Sequence, residues 1–282
     1  MLHRPPVHVL LALSVLAALA VGGTLALAQS AAPPPVVSFT LGKPKSPPTG
    51  PATVPAGAVR FSVSTTAKGM HTFQVVRVAP GADVAAVAAR LGKVTSEDAF
   101  EALKEVSAVG GTTVTPAADG SAVYPMLPGT YLFADITSDR GTPSIPFTVA
   151  GDPATAPGLP DAKSTLSLLD YRFELAGSPP RKGDMQLVNK GRRNHILVAF
   201  KTRNAASSAR AVKALKAGND RAAGKEIRSQ ATGASVIGPG ERQDLAVVYT
   251  PGSYVFVCFW RSKQSKERPH SRLGMAKAVT VK

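Results

Sequence analysis

The amino-acid sequence predicts an all-β protein made of two tandem Greek-key β-sandwiches, each with a short helical insertion. Three observations carry this prediction. Short runs of alternating apolar and polar residues recur along the chain, as expected of strands with one buried face. Aromatic residues make up only 6% of a chain that holds 25 glycines and 24 prolines, which is typical of short strands joined by turns. The order of the predicted elements then repeats in the second half of the chain.

Residues 1–28 are predicted to be a cleaved signal peptide that is not part of the fold. A short basic segment precedes an apolar run from Val9 to Leu27, and the run ends in Ala-Leu-Ala, the small-residue pattern that a signal peptidase accepts. Cleavage before Gln29 would give a secreted or periplasmic protein. An uncleaved N-terminal anchor is the alternative, because the apolar run is long enough to span a membrane.

Residues 29–150 are predicted to form the first sandwich. After a proline-rich opening, alternating residues predict strands over 36–41, 59–63 and 72–78. Apolar residues then recur at helical spacing and predict helices over 83–91 and 96–103, with Ser96 as a helix cap. Strands resume over 121–124, 129–134 and 145–149.

Residues 151–163 form a predicted linker with three prolines, and residues 164–282 are predicted to form the second sandwich. Its first strands are predicted over 166–175, 184–189 and 195–200. A helix follows over 208–217, and Gly218 ends it. The remaining strands are predicted over 234–237, 244–249, 253–259 and 276–281.

The two halves align element by element, which indicates an internal duplication. Pro128-Gly129-Thr130-Tyr131 matches Pro251-Gly252-Ser253-Tyr254, and both predict a tight turn that leads into a strand. In this alignment His71 takes the place of His195, and Asp135 takes the place of Cys258. The helical insertion follows the third strand in both halves.

The positive charge of the chain is concentrated in its second half. The net charge is +15, and residues 151–282 hold 23 Lys and Arg against 10 Asp and Glu. This asymmetry predicts an acidic redox partner or an anionic envelope surface. Because the basic residues are scattered, simple solubility is the alternative. Nucleic acid is not an expected partner of an exported chain with so few aromatic residues.

Four side chains of the second half have the chemistry and the chain order of a copper site: His195, Cys258, His270 and Met275. Blue-copper sites use two imidazoles and one thiolate, with a weakly bound thioether on the axis. Cys258 is the only cysteine of the chain, so it cannot form an intramolecular disulfide. Each of the four also has a simpler interpretation as a buried or solvated residue without a metal.

At these residues the chain resembles the cupredoxin superfamily, and in particular its exported plastocyanin-like domains. The resemblance is carried by Asn194-His195, by residues 251–258 and by residues 269–275, and it is weaker in the first half. It implies that His195 and His270 are the imidazole ligands of a copper ion, Cys258 the thiolate and Met275 the axial ligand. Eleven residues separate Cys258 from His270, where the family has only a few. We therefore expect a less rigid site.

The function predicted from the sequence is that of a non-enzymatic, exported, cupredoxin-like protein that binds copper for electron transfer or copper handling. The first half keeps His71 but has Asp135 at the cysteine position, so no copper site is expected there. The chain lacks metalloprotease, serine-hydrolase and phosphate-loop motifs, and its three histidines after residue 28 are too few for a three-copper cluster. The alternative is a metal-free module for interaction or structure at the cell envelope.

Overall fold

Strands dominate the described part of the chain, which confirms the predicted β-rich fold. The structure is a computed structural model, and it describes residues 32–43, 46–94, 96–137, 144–154 and 158–282. The predicted signal peptide lies outside these residues. Among the described helices, none combines the length and the apolar character needed to cross a membrane.

The described part of the first half contains nine strands and two helices. The helices are α1 (Val84–Leu91) and α2 (Glu97–Glu101), and both were predicted. Side chains cap their first turns, because Asp83 accepts hydrogen bonds from two backbone N–H groups and Ser96 accepts one. The strands are β1 (Val36–Leu41), β2 (Thr53–Pro55), β3 (Gly57–Thr65), β4 (His71–Val78), β5 (Val106–Gly110), β6 (Thr113–Val114), β7 (Gly120–Met126), β8 (Gly129–Asp135) and β9 (Ile145–Ala150).

The second half adds eight strands, two α-helices and two short 3-10 helices, Lys263–Ser265 and His270–Leu273, over its described residues. The predicted helix 208–217 is α3 (Ala205–Lys216), which begins earlier because the Asn204 side chain caps its first turn. The short α4 (Asp220–Glu226) follows and was not predicted. The strands are β10 (Thr165–Leu169), β11 (Arg172–Ala176), β12 (Lys182–Asn189), β13 (His195–Thr202), β14 (Ile227–Ile237), β15 (Arg242–Val248), β16 (Gly252–Val257) and β17 (Ala276–Val281).

The prediction of one strand over 166–175 was wrong. β10 and β11 are two antiparallel strands that pair Leu169 with Arg172, so Asp170 and Tyr171 form a two-residue turn between them. Turns of this length favour residues such as Asn and Gly that tolerate a positive φ. Tyr171 has this conformation, with φ +68°. A tyrosine within a run of apolar residues is typical of a strand, so the sequence pattern did not predict the turn.

The strands form three sheets, and the largest takes strands from both halves. Its order is β1-β3-β7-β15-β12-β10-β11, and β7 joins β15 where Ala122 pairs with Leu245. A six-stranded sheet belongs to the first half, with β2-β9-β8-β4-β5 along its main path, and the four strands β14-β13-β16-β17 belong to the second. Residues 32–282 form one compact unit, and the predicted domain boundaries at 150 and 164 stay a prediction.

Two buried amide side chains form hydrogen bonds between the two halves. Gln74 of β4 exchanges two hydrogen bonds with the backbone of Val236, at 2.9 and 3.0 Å. Gln243 of β15 accepts a hydrogen bond from the backbone N–H of Gly111 and donates one to its carbonyl group. One continuous apolar core includes Leu132 of the first half and Phe256 of the second. These contacts fix the positions of β13 and β16, and the candidate site lies at the ends of these two strands.

Candidate metal centre

Three predicted ligands meet in a buried triangle of donor atoms. His195 Nδ1 lies 3.2 Å from His270 Nδ1, and Cys258 Sγ lies 3.9 Å and 3.6 Å from these two nitrogens. All three side chains are fully buried. Among the described residues, this is the one cluster of three or more His, Cys, Asp or Glu side chains with metal-binding spacing.

The triangle has the size that a transition metal requires. A point at equal distance from its three corners lies about 2.1 Å from each atom, within the roughly 2.0–2.3 Å of metal–imidazole and metal–thiolate bonds. Two imidazoles and a thiolate suit copper, since borderline nitrogen and soft sulfur stabilise both of its common oxidation states. The three residues can therefore hold a copper ion.

His195 is placed by the segment that leads into β13. Asn189, at the end of β12, donates hydrogen bonds of 2.7 Å to the carbonyl groups of Arg193 and Ile237. Its side-chain oxygen accepts one from the N–H of Gly191. This buried amide fixes the turn before His195, so the imidazole enters the site from a constrained strand end.

Cys258 and His270 are joined by backbone hydrogen bonds at the base of their connecting loop. The N–H of His270 donates to the carbonyl oxygen of Trp260 at 2.9 Å, and that of Ser271 donates to the carbonyl oxygen of Cys258 at 2.8 Å. The N–H of Ile196 also points at Cys258 Sγ, 3.4 Å away. A sulfur that accepts such a bond carries its negative charge more easily when the thiol is deprotonated.

The long loop between Cys258 and His270 is held by contacts at its base and on α2 of the first half. Trp260 Nε1 donates to Glu101 Oε1 at 3.0 Å, and the Trp260 ring meets Phe100 edge to face. The backbone N–H of Lys263 donates to Asp98 Oδ1 at 3.1 Å. Ser262 and Ser265 form a reciprocal capping box within the loop. The length of the loop is thus offset by its anchoring.

Met275, the predicted axial residue, follows His270 closely in sequence and is fully buried. Its backbone N–H donates to the carbonyl oxygen of His270 at 2.9 Å, and its own carbonyl oxygen accepts from Cys258 at 3.1 Å. These bonds place the start of β17 next to both ligands. The structure therefore brings the four predicted residues into one region of the second half.

Burial controls the protonation of the three donors. It lowers the pKa of His195 to about 4, against the opposing effect of Asp170, and lowers that of His270 to about 3, with His195 and Arg193 adding to the shift. Burial raises the pKa of the Cys258 thiol to about 12. At neutral pH the imidazoles are therefore ready to bind a metal, and the thiol must release one proton when it does.

The matching position in the first half has a different structure. His71 Nδ1 lies 2.7 Å from Asp135 Oδ2, and its Nε2 lies 3.2 Å from the carbonyl oxygen of Lys68. Both side chains of the pair are nearly buried. His71 is therefore in contact with a carboxylate, whereas His195 is in contact with a second imidazole and a thiol.

Sequence reasoning missed the residues around the ligands. Asp170 and Tyr171 lie against the two imidazoles, Asn189 fixes the turn before His195, and Trp260 anchors the ligand loop. The first two were hidden in a predicted strand. The signal that was available is Asp-Tyr as a polar interruption in the middle of the apolar run 166–175.

No protein-family model matches the chain, and no curated protein matches it. Among solved structures the chain is similar to auracyanin B, with 17% identity over 42% of this chain and 86% of the other, at a TM-score of 0.27. It is similar to auracyanin from the photosynthetic bacterium Roseiflexus castenholzii, with 19% identity over 42% and 94%, at 0.25. It is also similar to the copper nitrite reductase from Nitrosomonas europaea, with 14% identity over 88% and 93%, at 0.23. The sequence identity is below 20% in all three cases.

Proposed function

We propose that this chain is an exported, cupredoxin-like protein whose second half binds one copper ion for electron transfer or copper handling. One observation carries the proposal: two Nδ1 atoms and a sulfur atom converge in a fully buried triangle of metal-binding size. Buried polar side chains normally have hydrogen-bond partners, and a metal explains why these three point at one another.

The residues of the chain have separate tasks in this proposal. When bound, copper supplies one-electron oxidation and reduction. His195 and His270 would hold the metal through neutral imidazoles, Cys258 through a thiolate after loss of its proton, and Met275 would offer a thioether sulfur as the fourth ligand. The apolar core around them excludes water, which favours a fixed set of ligands in both oxidation states.

The first half has a supporting role and no metal of its own. Asp135 pairs with His71, so neither side chain is available as a free ligand. Helix α2 holds the ligand loop through Glu101 and Asp98. In this proposal the chain is not an enzyme and descends from a tandem duplication, in which one sandwich keeps the copper ligands and the other supports them.

Export and partner choice complete the proposal. The predicted signal peptide over residues 1–28 would send the protein to the periplasm or outside the cell. The basic second half, with 23 Lys and Arg against 10 Asp and Glu, favours an acidic redox partner or an anionic envelope surface. Such attraction weakens as salt is added, because exposed charges are screened.

The His270→Ala variant tests the proposal. His71→Ala is its matched control, because it removes an imidazole from the equivalent half without touching the triangle. We expect His270→Ala to weaken copper binding by more than about 100-fold in a calorimetric titration, beyond the 10–100-fold typical of supporting residues. We expect His71→Ala to keep its copper affinity. Unchanged affinity in His270→Ala would leave the alternative of a metal-free interaction module.

A further inference from the structure

One tight turn lies against both imidazoles of the candidate centre. Asp170 Oδ1 is 3.4 Å from His195 Nε2, the ring nitrogen that faces away from Cys258. The ring of Tyr171 meets the ring of His270 edge to face, with centres 5.0 Å apart. The Asp170 side chain is 32% exposed, whereas both histidines are fully buried. The turn between β10 and β11 therefore lies between the imidazoles and solvent.

The backbone of this turn is unfavourable for the residue it carries. Tyr171 has φ +68°, a left-handed conformation that glycine or asparagine adopts more readily. A bulky residue in this region is strained and persists where the surroundings hold its side chain in place. The surroundings here are the ring of His270 and the guanidinium of Arg193, whose carbon lies 5.7 Å from the Tyr171 ring centre.

Two glycines allow the turn to pack closely against the chain segments that carry His195 and His270. A Cβ atom at Gly191 would clash with Asp170 Oδ1 and lie 2.9 Å from His195 Nε2. A Cβ atom at Gly274 would lie 3.0 Å from the carbonyl oxygen of Tyr171. The backbone N–H of Arg192 donates to Asp170 Oδ1 at 3.0 Å and fixes the carboxylate. The turn is therefore packed against both segments that deliver the histidines.

Resting on the proposed copper function, we propose that the Asp170-Tyr171 turn closes the metal centre to small external ligands. The Asp170 carboxylate attracts a proton to His195 Nε2, which leaves Nδ1 free to bind the metal. The Tyr171 ring covers His270 and excludes water and anions from its edge. Both are positioning residues. A centre closed in this way would not bind a small substrate at the metal.

The cover can be tested without copper. Tyr171→Gly removes the ring and relieves the backbone, so the fold is retained, and Tyr171→Phe keeps the ring as the matched control. The copper-free proteins are treated with diethyl pyrocarbonate, and each modified histidine is located by peptide mass spectrometry. We expect His270 to react at least about tenfold faster in Tyr171→Gly than in the wild type or Tyr171→Phe. His71 is the internal control with an unchanged rate. Equal rates at His270 in all three proteins would overturn the proposal.

The copper-loaded protein tests closure against a ligand. Azide is the probe, and its binding is followed by the visible spectrum. We expect no spectral change in the wild type and a new band in Tyr171→Gly, whereas azide binding to the wild type would contradict closure. If no protein binds copper, the proposed function fails, and the reaction of His270 with diethyl pyrocarbonate still decides whether the cover exists.

The role of Asp170 has its own spectroscopic test. Asp170→Asn keeps the size of the side chain and removes its charge. Nitrogen-15 NMR of the copper-free protein reports which nitrogen of His195 carries the proton. We expect the Nε2-protonated form in the wild type and a mixture of both tautomers in Asp170→Asn. The same single tautomer in both proteins would remove Asp170 from the proposal.

Discussion

His71 is the first residue of β4 and His195 the first residue of β13, and these two strand ends, which the sequence aligns with each other, have different neighbours. His71 has a carboxylate 2.7 Å from Nδ1 and a carbonyl oxygen 3.2 Å from Nε2. His195 has a second imidazole and a thiol near Nδ1, and the carboxylate of Asp170 lies 3.4 Å from its Nε2. Nδ1 of His71 therefore faces a carboxylate, whereas Nδ1 of His195 faces two other candidate metal ligands.

In each half the strand positions the first histidine, and residues elsewhere in the chain determine which groups that histidine contacts. In each half a histidine is the first residue of its strand, His71 in β4 and His195 in β13. The residue at or directly after the end of the paired strand then determines the outcome, because a carboxylate hydrogen-bonds an imidazole, whereas a soft thiolate is a copper ligand. The second imidazole comes from the long loop after Cys258.

The largest effect is expected when the thiol is removed. Cys258→Ser should abolish the intense thiolate-to-copper charge-transfer band and reduce copper affinity by more than about 100-fold, because a serine hydroxyl is a poor ligand for copper. Visible absorption during a copper titration measures both changes. Asp135→Ser, the equivalent change in the first half, should leave both unaltered. An intact charge-transfer band in Cys258→Ser would contradict the role of Cys258 as the thiolate ligand.

Loss of His71 should destabilise the fold without affecting copper. His71→Ala removes the hydrogen-bond partner of the buried Asp135 Oδ2, which should lower the free energy of unfolding by about 2 kcal/mol. Urea unfolding of the copper-free protein measures this change. The double variant His71→Ala with Asp135→Ala should recover part of the loss. A decrease below about 1 kcal/mol would contradict a stabilising role of the contact between His71 and Asp135.

Copper binding should become about tenfold tighter for each unit of pH between pH 6 and pH 8. The pKa of Cys258 is raised to about 12 and those of His195 and His270 are lowered to about 4 and 3, so only the thiol loses a proton on binding. Rising pH favours the thiolate and therefore the complex. Calorimetry in buffers of different ionisation enthalpy should count one released proton. A count of two or three would contradict these protonation states.

The smallest effect is expected at the contact between the halves. Trp260→Phe keeps the contact with Phe100 and removes the hydrogen bond to Glu101, which is worth about 1 kcal/mol. Copper release to a chelator should accelerate about fivefold. Glu105→Gln, which breaks the exposed ion pair with Arg90, is the matched control and should have no effect. Equal release rates would show that α2 does not hold the ligand loop.

The sequence predicted the β-rich class, most strands and the helices α1 to α3, because alternation and capping residues are local signals. It also selected the four residues that the fold brings into one region. It did not predict Asp170 and Tyr171 as a turn, since a tyrosine at positive φ contradicts local preference and is held there by tertiary contacts. The anchoring of Trp260 on α2 depends on residues about 160 positions apart in sequence, which no local pattern encodes.

The most direct test of the central claim is a copper titration of the wild-type protein followed by visible absorption. We expect one equivalent of copper bound, with an intense thiolate-to-copper band, since the second half has a donor triangle and His71 of the first half is in contact with the Asp135 carboxylate. Binding of two equivalents at the two strand ends, or of none, would contradict it.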